Sequence, residues 1–165
     1  MADLATIATA IKKEIDAAAV AGTFNRVFQA RLLWANRQQR LEDANVLCVD
    51  VAGINSSRSL FSRGRHLLTL RYHVAVRKRF EATEEQNGDI VNSEVSDLVI
   101  LLDSLWKFFM PKQPSENGRK LADYPDATVL GPQSDSNVDT VILWEDLETL
   151  RQFSGYFELT IQVVE

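Results

Sequence analysis

The most constraining feature is an alternation that ends in "RYHVAVRKRF", Arg71 to Phe80. Its even positions, Tyr72, Val74, Val76 and Phe80, form one apolar face, with Lys78 the exception. Its odd positions, Arg71, His73, Ala75, Arg77 and Arg79, form a face rich in cationic or titratable groups. A period of two is the signature of a strand with one face buried. The pattern extends back to about His66, and at ~15 residues it far exceeds the ~5–6 of an ordinary strand. Such a strand needs sheet neighbours on its flanks and a covering layer on its apolar face, which excludes an all-helical chain.

The remaining segments supply both. Leu4, Ile7, Ala8, Ile11, Ile15 and Ala18 recur at helical spacing, while Lys12, Lys13, Glu14 and Asp16 fall off that stripe. This predicts an amphipathic helix ending near Gly22. "FQARLLW" alternates and reads as a strand. "VLCVDVAGI" is a second strand, apolar on both faces until Asp50, and therefore central in a sheet. Val95, Leu98, Val99, Leu102, Leu105, Trp106 and Phe109 mark a second helix over 93–110, with Asn92 or Ser93 as N-cap and Pro111 as the stop. "TVLGPQ" and "VILWEDLE" read as short strands. "FSGYFELTIQVVE" alternates again, a half-buried antiparallel strand. Three segments, 55–64, 112–123 and 133–140, concentrate Ser, Asn, Gly and Pro and read as mobile loops. The order predicts an α+β fold: a single domain over 1–165 with a mostly antiparallel sheet and two main helices packed on one face. The core would join Leu98, Leu102 and Trp106 to Leu70, Val74, Val76, Leu159 and Ile161.

Composition excludes several classes of function. The chain has 165 residues, 45% hydrophobic and 25% charged, as expected of a folded globular protein. Its one cysteine, Cys48, sits in an apolar run and reads as a buried inert thiol; two histidines and no Cys-x-x-Cys leave no zinc-type site. The seven glycines never cluster into a phosphate cradle, and no G-x-S-x-G elbow accompanies the serines near His66. The run Glu81, Glu84 and Glu85 reads as solvated charge, and "SDSNVD" lacks the Gly and Glu of a calcium loop. No run is long enough to cross a bilayer, and "MADLATIATAIKKEI" is not a secretory signal. No catalytic residues, cofactor or metal are expected. A small enzyme with an unfamiliar site is the weakest of three readings.

The net charge of −5 conceals a polarity. Residues 1–80 carry thirteen bases and six acids, a formal +7, and residues 81–165 carry five bases and seventeen acids, a formal −12. Five of the eighteen Lys and Arg lie between Arg65 and Arg79, without one carboxylate among them. A nucleic-acid-binding accessory protein would use these bases to neutralise phosphates. Against that stand the net negative charge and the lack of aromatic residues interleaved on the same face for base stacking. An assembly role fits better, with the basic half of one subunit docking on the acidic half of the next.

Three places carry a resemblance. They are the opening Ala- and Ile-spaced helix leading into a strand; "YHVAVRKRF" followed by an acidic turn and "EVSDLVILLDSLWKFF"; and "LADYPDATV" preceding "DLETLRQFSGYFELTIQVV". In order and spacing, over nearly the whole chain, these resemble the tail terminator and neck proteins of long-tailed bacteriophages. The resemblance implies a structural virion protein, assembled in the host cytoplasm, that forms a hexameric ring capping the tail tube and joining it to the head connector. The implied partners are further copies of itself, the tail tube protein, a head–tail connector or neck protein and, in contractile tails, the sheath. DNA would pass through the ring without specific binding, and no membrane is involved. Within the assembly reading, Arg58, Arg63, Arg65, Arg71, Arg77 and Arg79 form a docking surface. Its counterparts are Asp135, Asp139, Glu145, Asp146 and Glu148 of an adjacent copy or partner.

Overall fold

In the chain the long alternating strand becomes the second arm of a hairpin. A computed structural model describes residues 2–33, 46–80, 85–86, 89–90, 92–110, 118–130 and 140–165. The elements in order are α1 (Leu4–Val20), β1 (Gln29–Leu32), β2 (Cys48–Ser62), β3 (Arg65–Arg79), β4 (Glu85–Gln86), β5 (Asp89–Ile90), α2 (Asn92–Phe109), β6 (Arg119–Lys120), β7 (Ala127–Leu130), β8 (Val141–Ile142), α3 (Trp144–Thr149) and β9 (Gln152–Val164). The main sheet has the order β1-β2-β3-β9-β7-β6, with β8 also pairing β9; β4 and β5 pair separately. Among the described strands only β1–β2 is parallel. The fold is α+β, as the periodicities predict.

Register places the core. Opposite β3, Leu70 meets Ile161, Tyr72 meets Leu159 and Val74 meets Phe157, while Val74 and Val76 face Val51 and Val49 of β2. Directly opposed residues share a face, so these side chains form one apolar surface. Both main helices cover it. Ile7, Ile11 and Ile15 of α1 and Leu98, Leu102, Leu105 and Phe109 of α2 are buried in the same cluster. Each such side chain contributes about 1.5–3 kcal/mol. Of the predicted core, Trp106 alone is partly buried and packs against the cluster from its margin. Gly155 opposes Val76, and a Cβ there would lie 2.8 Å from Leu102 Cδ2, so the missing side chain lets α2 approach β9.

Local chemistry fixes the ends of α1. Asp3 accepts from the Thr6 N–H at 2.7 Å, and that bond holds its carboxyl below the ordinary value. At the other end Gly22 takes φ 75°, Gly22 N–H donates to Ala19 and Thr23 N–H to Ala18. This is a Schellman closure around a left-handed glycine. Glu14, expected off the buried stripe, is 7% exposed. It turns inward because its carboxylate accepts from the Ala122 N–H and pairs with Arg119 at 2.8 Å. Arg119 in turn lies over the Phe108 ring at 4.4 Å.

Two further expectations give way. The segment Asn55–Gly64, read as a loop, is mostly strand: β2 continues to Ser62, paired with β3 throughout, and turns at Arg63–Gly64 with Gly64 at φ 78°. Ladder pairing with β3 and β-bulges at Gly53/Asn55 and Leu60/Ser62 override a polar, Ser-rich composition. The other two predicted loops, 112–123 and 133–140, lie largely outside the described residues. "VILWEDLE", read as a strand, is strand only at Val141–Ile142; Trp144–Thr149 closes into α3, which Leu150 N–H caps by donating to Asp146.

Candidate assembly interface

The hairpin β2–β3 is fifteen residues long on each arm, but its neighbours do not follow it to the end. β1 pairs with β2 only over Cys48–Val51. β9 stays beside β3 as far as Leu67, and reciprocal bonds between His66 and Glu165 close that seam. Beyond these limits the hairpin becomes an arm. From Asn55 to Ser62 every residue is exposed, and so are Arg63, Gly64, Arg65 and His66. Two large apolar residues stand out there, Leu60 at 75% and Phe61 at 57% exposure.

The structure separates the six arginines of the predicted docking surface. Arg58, Arg63 and Arg65 lie on the arm, and all three are exposed. Arg58 makes a long contact, 3.4 Å, to Glu165 Oε2, an exposed pair of the kind worth ~0–1 kcal/mol. Arg71 is exposed nearer the body, with Nε 3.7 Å from Glu158 Oε1. On the same face His73 stacks on Tyr156 with ring centroids 4.4 Å apart, its Nε2 3.8 Å from Glu158 Oε2.

Arg77 does not belong to the docking surface. It is 3% exposed, with Nη1 3.5 Å from Asp50 Oδ2. Asp50 is wholly buried, and Arg31 binds it through two hydrogen bonds, Nε to Oδ1 at 2.7 Å and Nη2 to Oδ2 at 3.0 Å. Hydrogen bonding to this carboxylate holds the Arg31 guanidinium above its ordinary pKa. Two cations around one anion make this end of the second sheet face a polar cluster, continued by buried Gln152 and Ser154, whose side chains bond at 3.1 Å. Arg79, opposite Gln152, is half-buried at the margin of this cluster.

Lys78, the exception in the alternation, has an equally specific place. It lies on the helix side, 4% exposed, with Nζ 2.7 Å from Glu94 Oε1 in the first turn of α2. Arg26 reaches the same oxygen at 2.8 Å. Hydrogen bonding to Arg26, then to Lys78, holds the Glu94 carboxyl below its usual range. The basic residues nearest the body thus tie β1, β2, β3 and α2 together.

The acidic side divides in the same way. Glu145 and Glu148 are exposed on α3, whereas Asp146 between them is 9% exposed and turned inward, so it is withdrawn from the docking set. Asp135 and Asp139 lie outside the described residues. Beside Glu145, Trp144 is 57% exposed, and Val141 close by is 38% exposed. The structure thus puts Trp144 at the surface. Trp34 lies outside the described residues.

Among the described residues no group of three or more His, Cys, Asp and Glu could hold a metal ion, and no helix is long and apolar enough to cross a membrane. Cys48 is buried. A cleft of about 290 Å³ between α1 and the segment after β6 is lined by Thr6, Thr9, Ala10, Lys13, Asp123 and Tyr124. The Lys13–Asp123 pair, 3.0 Å apart, joins its two sides. What sequence reasoning missed is the apolar pair at the arm's tip; the signal was there as Leu60-Phe61, flanked by serines and arginines. Comparison with protein-family models and with curated proteins gives no match for this chain.

Proposed function

We propose that the chain is a structural, non-catalytic subunit of a phage neck or tail terminus, one that closes into a hexameric ring capping the tail tube and joining it to the head connector. The observation that carries this reading is the β2–β3 arm, whose β2 side, Arg58 included, is exposed from Asn55 onward and whose end carries Leu60, Phe61, Arg63 and Arg65 past the neighbouring strands. Large exposed apolar residues set among charges mark contact surfaces. A stiff arm on one side and an acidic surface on another give unlike faces, and unlike faces docking head to tail close into a ring when the rotation per subunit divides a full turn. The sequence resemblance supplies the setting: the tail tube on one side, the connector on the other, DNA passing through the lumen.

Mass in solution, together with electron microscopy of particles carrying a labelled subunit, tests the reading. The expected result is a closed ring and label at the junction of head and tail, with separate heads and tails when the gene is deleted. A monomer absent from the virion overturns it. So does an R63E/R65E chain that still joins heads to tails while the wild type binds duplex DNA with a steep salt dependence; a nucleic-acid function would then replace it.

A further inference from the structure

We infer that the arm tip of one copy docks on the α3 surface of the next, with Leu60 and Phe61 against Trp144 and Val141, and Arg63 and Arg65 against Glu145 and Glu148. The inference rests on the ring reading and names the contact that would build the ring. Two exposed patches on this chain match in kind and are opposite in charge. The tip offers two apolar side chains among arginines, and neither Arg63 nor Arg65 makes an ion pair among the described residues. The α3 surface offers an exposed tryptophan and valine beside two exposed carboxylates. Aromatic residues dominate the centres of protein contacts, and charges at the rim set register and partner choice. A second copy is the occupant that charge complementarity selects, because each copy carries both halves. A tip meeting another tip would bring arginines together, and an α3 surface meeting its like would bring carboxylates together. The contact is therefore heterologous, as a ring requires.

The test uses the full chain and sedimentation equilibrium. F61D on the tip and W144A on α3 are each expected to weaken self-association about thirtyfold or more, the effect of losing a contact-centre aromatic. Circular dichroism should stay as in wild type, because both residues are exposed. Mixing the two variants gives the decisive species. F61D retains an intact α3 surface and W144A an intact tip, so one good contact forms and the mixture stops at a one-to-one heterodimer. A tip-to-tip contact would instead leave W144A self-associating alone, which overturns the inference. R63E/R65E should dissociate the assembly, and E145R/E148R in the same chain should partly restore it. A wild-type chain that stays monomeric sinks the ring reading and this contact with it. An oligomer indifferent to F61D and W144A sinks the contact alone and leaves the ring standing.

Discussion

Asp50 and Arg77 face each other 3.5 Å apart with almost no access to solvent, on the sheet face away from the main helices. The same carboxylate accepts both bonds from Arg31. Asp50→Ala takes a counter-charge from two guanidiniums at once and should cost about 3–5 kcal/mol, as breaking buried pairs does. Asp50→Asn keeps the shape but not the charge, and should lose most of the same energy. Urea denaturation checks both, and a change under 1 kcal/mol in D50A would mean that the arginines do not depend on this carboxylate.

Position on β3 predicts opposite outcomes for two similar reversals. Arg77→Glu would place a second carboxylate beside buried Asp50, and the chain should fail to fold. Arg71→Glu, on an exposed side chain with a 3.7 Å contact to Glu158, should change stability by no more than about 1 kcal/mol. Soluble yield and circular dichroism distinguish them. Equal behaviour of the two would contradict the burial of Arg77.

Gly155 and Leu102 should be thermodynamically coupled. Gly155→Ala inserts a methyl 2.8 Å from Leu102 Cδ2 and 3.2 Å from the Phe153 ring, an overpacking expected to cost about 1–3 kcal/mol. Leu102→Ala alone should cost about 2–5 kcal/mol through its cavity. In the double variant the new methyl lies beside the vacated space, so the combined loss should fall short of the sum. Strict additivity in a double-mutant cycle would place α2 elsewhere on β9.

Tyr72 provides a pH signature. Its ring is buried, its hydroxyl donates to the Leu4 carbonyl at 2.8 Å, and burial raises its pKa. A raised folded pKa means that the native state holds the proton after the unfolded chain has released it. Its contribution is thus fully present below about pH 10, the unfolded value, and is lost as pH rises toward the folded one. Over that range stability should decline by an extra ~1.4 kcal/mol per pH unit. Tyr72→Phe should cost ~0.5–1.5 kcal/mol at pH 7 and flatten that decline. A Y72F curve parallel to wild type up to pH 11 would count against the assignment.

Strand and helix periods were readable wherever one face is apolar and the other is not. β3, β9, α1 and α2 all satisfy that condition, and their residues form the core. The outer half of β2 does not satisfy it, because its residues from Asn55 to Ser62 are exposed on both faces, and pairing with β3 makes it a strand. The parity of β3 also misled where the sheet is buried on both faces. Arg77 obeys the alternation, yet the second face at that level is closed. The one available sign was Asp50, a lone acid in an apolar central strand, which has to be met by a cation from a neighbour. Lys78 broke the pattern for a like reason, since Glu94 awaits it at the start of α2.

The place of β9 governs the order in which the chain can be made. β2 and β3 adjoin in sequence and can zip together as soon as both have left the ribosome. The other side of β3 pairs with β9 from Arg79–Gln152 to Leu67–Val164, and among the described residues α2, α3 and five short strands are synthesised in between. Until β9 emerges, β3 presents an open hydrogen-bonding edge beside an apolar face, the kind of surface on which nascent chains stick to one another. The centre of the sheet is therefore the last part to close. Release of a chain interrupted before β9 would yield an aggregating fragment rather than a smaller folded one.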